Sequence, residues 1–197
     1  MFNRLVCNWV YGGFLAGLAL LAVFPLTTNG WPASLAFTFL ALPIYMIHQY
    51  EEHDDDRFRQ FVNTHFGDGR EVLTRGDVFW INIIGVWVAI IAVVWLAWEV
   101  DVGYGLIAAY LLLINAVVHI GQAIKLRSYN PGLITSIALF LPLGAYLLSL
   151  FWNTAGALHH AIGVGVVVAL HAAIVVRVLA RKAELDRETK AALGAAD

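Results

Sequence analysis

Charge is scarce in this chain. Asp, Glu, Lys and Arg make up only 13% of its 197 residues, where a soluble domain carries about a quarter. Its 12 basic and 14 acidic residues leave a net charge of −2, with no excess of positive charge to serve a nucleic acid. Cysteine is scarcer still. Cys7 has no second cysteine to pair with, so an internal disulfide and a CxxC metal or redox site are both excluded. It lies in an apolar run and reads as packing. The chain also lacks a glycine-rich phosphate loop and a Ser-His-Asp signature, which removes two common enzyme classes.

Apolar residues are what the chain has instead: 60% are hydrophobic, and the mean hydropathy is +0.74. A bilayer core about 30 Å thick is crossed by roughly 20 apolar residues in a helix. Six stretches approach that length: Leu5–Leu26, Ala33–Tyr50, Val78–Trp98, Gly103–Ile124, Leu133–Trp152 and Ala157–Leu179. Turn and polar residues separate them. The expected fold is all-α, a polytopic membrane helical bundle of about six spans. It forms a single domain over residues 1–181, followed by a polar tail over 182–197. The first apolar run exceeds a signal-peptide core and reads as an uncleaved helix. The one sizeable connection, Glu51–Asp77, is expected to hold a short surface helix around Arg57–His65.

The basic residues sort cleanly. Arg4 precedes the first span; Arg57, Arg59, Arg70 and Arg75 follow the second; Lys125 and Arg127 follow the fourth; Arg177, Arg181, Lys182, Arg187 and Lys190 end or follow the sixth. Every one falls on the same side, which the positive-inside rule makes cytoplasmic, with both termini there. A multi-pass protein of a bacterial inner membrane is expected. Gly13 and Gly17 form a small-residue face that permits close helix approach, within the chain or in an oligomer.

Polar residues inside the spans point to chemistry, because each is costly in lipid unless paired, metal-bound or wet. His48-Gln49-Tyr50-Glu51-Glu52 ends the second span, and His48, Glu51 and Glu52 share a helix face at i, i+3 and i+4. His119, with Asn115 one turn before it, lies in the fourth span, Asn82 in the third and His171 in the sixth. Tyr129 and Thr135 flank the start of the fifth. All fall in the cytoplasmic half, as if lining one site. The run His53–Asp56 reads as a solvated acidic stretch, with Asp55 or Asp56 available to a second metal.

Two histidines and a carboxylate from His48, Glu52 and His119 form a common catalytic zinc set with one open position. Glu51 is then free to act as general base, as the Glu does in H-x-x-E-H metalloproteases. The wider set of His48, Glu51, Glu52, His119 and His171 also suits a pair of iron or manganese ions, as in helical-bundle carboxylate sites. Tyr129 is a candidate for orienting substrate; Asn82, Asn115 and Thr135 are candidates for orienting the ligands.

Two motifs in this order, His48-Gln49-Tyr50-Glu51-Glu52 and Tyr129-Asn130-Pro131-Gly132-Leu133-Ile134-Thr135, resemble those of the HXXEE domain family of integral membrane proteins. That family carries two histidines at i and i+4 between the motifs; here His119 matches the second and Asn115 replaces the first. The resemblance implies a membrane protein with a shared polar site and supplies no reaction. From the residues, the expected activity is a metal-dependent hydrolase, zinc favoured, acting on a lipid or amphipathic small molecule in the cytoplasmic leaflet. A di-iron type membrane oxidoreductase and a cation or proton-coupled transporter are the alternatives.

Overall fold

In a bilayer the backbone must satisfy its own polar groups, and long apolar runs do so as helices. The computed structural model describes residues 2–194, which form helices joined by turns, with no strand among the described residues. We label the helices α1 (Phe2–Thr27), α2 (Ala33–His53), α3 (Arg57–His65), α4 (Arg75–Glu99), α5 (Val102–Leu126), α6 (Leu133–Phe151) and α7 (Ala157–Gly194). Five of them, α1, α4, α5, α6 and α7, are long and apolar enough to cross a membrane. The sixth expected span, α2, has 21 residues but is not one of these five, because its last turns carry His48, Gln49, Glu51, Glu52 and His53.

That polar helix is the centre of the bundle. It packs against α1, α4, α5 and α6, and Leu35, Ala41, Leu42, Tyr45 and Met46 are buried along it. Gly17 of α1 lets the two backbones close: a methyl group there would sit 2.9 Å from Met46 Cβ. The Gly13 and Gly17 face therefore packs inside the chain, Gly13 against Trp87. The outer surfaces stay apolar. Trp95, Trp152, Leu158 and Val176 are all exposed, as expected of side chains that meet lipid.

Local chemistry sets the breaks. α2 stops where Asp55 and Asp56 adopt left-handed backbone, φ 52° and 63°, a conformation that Asp tolerates better than most residues. Thr74 and Asp77 form a reciprocal capping box at the start of α4. Between them, Asn63 of α3 ties down the loop. Its Oδ1 accepts from the amides of Val72 and Leu73 at 3.0 and 2.9 Å, and its Nδ2 donates to Leu73 O.

Two π-helical turns interrupt the spans, Ile83–Val88 in α4 and Ser136–Phe140 in α6. Such turns recur near functional sites. The second sets Phe140 against the His48 ring, with centroids 4.2 Å apart.

Past its apolar part, α7 continues unbroken, where a separate polar tail is expected from residue 182. Arg177 reaches Asp77 at 3.1 Å, Lys182 reaches Phe66 O at 3.0 Å and Asp186 pairs with Arg70 at 2.6 Å. The end of α7 thus straps the α2–α4 connection. Residues 195–197 of the expected tail lie outside the described residues.

Candidate metal centre

Three ligand-type atoms meet between α2 and α5. One each from His48, Glu52 and His119 lies within 4.8 Å of the other two, and all three residues are buried. His48 and Glu52 come from one helical face at i and i+4, and His119 faces them from α5. Glu52 Oε2 is 3.6 Å from His48 Nε2, and Glu52 Oε1 is 3.4 Å from His119 Nε2. Ligands about 2.0–2.1 Å from a tetrahedral ion stand roughly 3.3 Å apart, so both separations are close to a ready-made coordination edge.

The surrounding bonds fix which ring nitrogens carry protons. Thr135 Oγ1 donates to Glu51 Oε2 at 2.5 Å. Its single proton is then used, so toward His48 Nδ1, at 2.8 Å, the hydroxyl accepts. As a neutral ring His48 therefore holds its proton on Nδ1 and presents a bare Nε2. That Nε2 is buried and has no hydrogen-bond partner among the described residues.

His119 follows the same logic. Asn130 Nδ2 donates to His119 O at 2.7 Å, which places Asn130 Oδ1 at His119 Nδ1, also 2.7 Å away. A carboxamide oxygen only accepts, so Nδ1 carries a proton, and in the neutral ring His119 Nε2 is bare too. With both rings neutral, two imidazole lone pairs and a carboxylate converge with no proton between them. That donor set suits a divalent cation, and bonds from the outer ring nitrogens of this kind accompany metal-ligating histidines.

The two adjacent glutamates point to different places, as neighbours about 100° apart on a helix must. Glu51 turns to the start of α6. Its Oε1 accepts from Tyr129 OH at 2.8 Å and Ile134 N at 3.1 Å, and its Oε2 accepts from Thr135 N at 2.7 Å. An anion on the first-turn amides of a helix is favourably placed. Partial burial and the Glu51 carboxylate push the Tyr129 hydroxyl up to about 12, so it stays a neutral donor.

The second motif thereby completes the first. Tyr129 and Thr135 hold Glu51, Thr135 and Asn130 orient the two rings, and Gly132 fills the space beside them. Gly132 has φ +93°, and a Cβ on it would lie 2.8 Å from Cε1 of both His48 and His119.

His53, expected in a solvated run, is instead buried, with Nε2 3.0 Å from Glu52 Oε2. A proton on that nitrogen makes the contact a hydrogen bond to the carboxylate. Behind it runs a directed chain. Trp87 Nε1 donates to Gln49 Oε1 at 2.6 Å, Gln49 Nε2 to Asn82 Oδ1 at 2.8 Å, and Asn82 Nδ2 to Val78 O of its own helix at 2.8 Å. Asn82 is thus tied to Gln49 and Val78 and is not brought to the three-residue group.

His171 stands apart, with Nδ1 2.9 Å from Val167 O of its own helix. Asp56 pairs with Arg59 and Arg75 and is not brought to the group, nor is Asp55. The sequence pattern alone assigns no site role to His53 or Asn130. The signal for Asn130 is present, since it sits inside the second motif; for His53 the acidic neighbours mask it.

A cavity of about 610 Å³ opens beside the group, bounded by α2, α3, α4, α5 and α7. Glu52, His53, His119, Asn115 and Gln122 border it, as does His171, within walls otherwise rich in Leu, Ile and Val. A family model described as "Protein of unknown function with HXXEE motif" matches residues 39–147, a stretch holding both motifs and His119. No curated protein and no solved structure matches the chain.

Proposed function

The chain belongs to the HXXEE family, and from that premise we propose that it is a membrane-embedded, metal-dependent hydrolase acting on a lipid-like substrate. The observation that carries this reading is the convergence of His48 Nε2, His119 Nε2 and the Glu52 carboxylate, with both imidazole protons held on the outer nitrogens. Two histidines and one glutamate are the protein ligands of several catalytic zinc sites, which leave a fourth position open. A divalent ion held by these three residues would supply Lewis acidity and an acidified water. The adjoining cavity has the volume typical of small-molecule sites, and its apolar walls within the bundle suit a substrate arriving from lipid. By the sorting of basic residues the centre belongs to the cytoplasmic leaflet.

In this reading Glu51 is a positioning residue. Its carboxylate is engaged by Tyr129, Ile134 and Thr135 on the far side of the Thr135 hydroxyl from the triad. It fixes that hydroxyl, which fixes the proton on His48. Glu52 is the ligand, and His53 holds the Glu52 oxygen that faces it. The two glutamates of the motif thus do separate jobs, one inside the ligand set and one behind it.

The reading is tested by turnover. Purified protein is assayed for release of fatty acid from a panel of acyl esters and amides, first treated with a chelator and then reconstituted with zinc. Activity lost on chelation, restored by zinc and absent in Glu52→Gln is expected. Turnover indifferent to chelation, or no turnover across the panel by zinc-loaded protein, would overturn it.

A further inference from the structure

His119 is not the only polar side chain on its face of α5. Asn115 precedes it by four residues and Gln122 follows by three, so the three stand in a row along one helical stripe. All three border the large cavity. Asn115 Oδ1 and Gln122 Oε1 are both buried and accept no hydrogen bond among the described residues. A carbonyl oxygen withdrawn from water and left without a donor is an expensive arrangement. One such oxygen on each side of a metal-type histidine points to a ligand that brings donors with it.

The rest of the lining limits what that ligand can be. Leu111, Val118, Leu170, Ile174 and Val178 give hydrocarbon walls, fit for an acyl chain. The volume of about 610 Å³ suits one chain with a small headgroup. Arg177 is the one Lys or Arg among the described residues that border the cavity, and Asp77 holds it at 3.1 Å. Glu52 adds a negative charge at the inner end. A divalent ion on the triad would leave a single net positive charge there, enough to polarise an acyl carbonyl but short of matching a phosphomonoester.

We infer that the cavity binds a single-chain acyl lipid with an uncharged, hydroxyl-bearing headgroup, its hydroxyls donating to Asn115 and Gln122. The acyl carbonyl then lies beside His119 and Glu52. This rests on the hydrolase reading for its choice of an acyl bond, but the binding preference itself needs only the two carboxamides and the absence of a free cation. Asn115, the position at which this chain departs from a second histidine, becomes a specificity residue for the headgroup.

The test compares two lipids that share chain and bond. Full-length protein in phosphatidylcholine nanodiscs is titrated with radiolabelled 1-oleoylglycerol and with 1-oleoyl lysophosphatidic acid, in chelator and with zinc. The inference expects at least a tenfold preference for 1-oleoylglycerol in both conditions. Asn115→Leu and Gln122→Leu should each weaken that binding about tenfold, with lysophosphatidic acid unchanged. A probe that avoids mutation is the di-O-methyl ether of 1-oleoylglycerol, which should bind wild-type protein as weakly as 1-oleoylglycerol binds the variants. Equal or tighter binding of lysophosphatidic acid, or a methyl ether that binds as well as its parent, would overturn the inference. The two readings fail separately. Preference without turnover supports this inference and overturns the hydrolase; turnover without preference does the reverse.

Discussion

A single methyl group at Gly132 is expected to damage the centre without unfolding the protein. The added Cβ would lie 2.8 Å from Cε1 of His48 and 2.8 Å from Cε1 of His119, where carbon atoms prefer about 3.5–4.0 Å. One or both rings must retreat by roughly 1 Å. Neither is free to do so. His48 is bonded to Thr135 at 2.8 Å and packed on Phe140, and His119 is bonded to Asn130 at 2.7 Å.

Metal–ligand distances hold to within about 0.2 Å, so such a displacement should cost a ligand or distort the set. Loss of an orienting partner alone weakens metal binding by about 10–100-fold, and Gly132→Ala should do at least as much, about 1.4–2.8 kcal/mol. The positive φ adds backbone strain on the order of 1–2 kcal/mol, which a control isolates. Gly30 has φ +80°, and a Cβ added there would meet nothing within 4 Å, so Gly30→Ala carries the strain and not the clash. The assay is competition for zinc against a chelator in detergent, beside thermal midpoints of both variants. Similar midpoint losses with zinc affinity reduced only in Gly132→Ala are expected. Wild-type zinc affinity in Gly132→Ala would refute the placement of the two rings.

Other substitutions probe the outer bonds. Asn130→Ala removes the acceptor that holds the His119 proton and should weaken zinc binding about 10–100-fold, measured by the same competition. Glu51→Gln and Thr135→Val break one chain of bonds to His48. Each should weaken zinc binding about tenfold, and the double variant should be no worse than either, because effects within one network do not add. Away from the centre, Asp56 joins Arg59 and Arg75 across the α2–α4 connection. Partial burial pushes its carboxyl up, but hydrogen bonds and charge from Arg59 and Arg75 outweigh this and hold it below the ordinary 3.8. A lowered folded value means that the stabilisation is present above pH about 4 and fades as pH falls further. Asp56→Asn should therefore lower the thermal midpoint at pH 7, with the gap to wild type closing below pH about 4.

The helices were legible because hydropathy and length decide them in a bilayer. Arg57–His65 was legible from its polar sequence between two spans. The end of α2 was not. A bilayer-length criterion stops at Tyr50, while the helix runs on to His53 and stops only where Asp55 and Asp56 turn left-handed. That one extra turn buries His53 against Glu52, although its acidic neighbours suggested solvent. The grouping of His48, Glu52 and His119 could be read from helical spacing and depth, since i and i+4 share a face. Adjacent residues do not, and that geometry alone turns Glu51 away from Glu52. Its destination on Thr135 depends on how α6 docks against α2, a relation between helices that no local pattern encodes. The π turns at Ile83–Val88 and Ser136–Phe140 likewise arise from packing. His171 stands at the cavity wall, on a helix whose contacts keep it out of the three-residue group.

We propose that the two motifs of this chain build one three-ligand metal centre. Elemental analysis of the purified full-length protein, with X-ray absorption at the metal edge, tests it most directly. One zinc per chain after dialysis, with two imidazole nitrogens and carboxylate oxygen at about 2.0–2.2 Å, is predicted, as is its loss in His48→Ala and His119→Ala. Protein that takes up no stoichiometric metal when zinc is supplied, or that keeps its metal in both variants, would contradict the account.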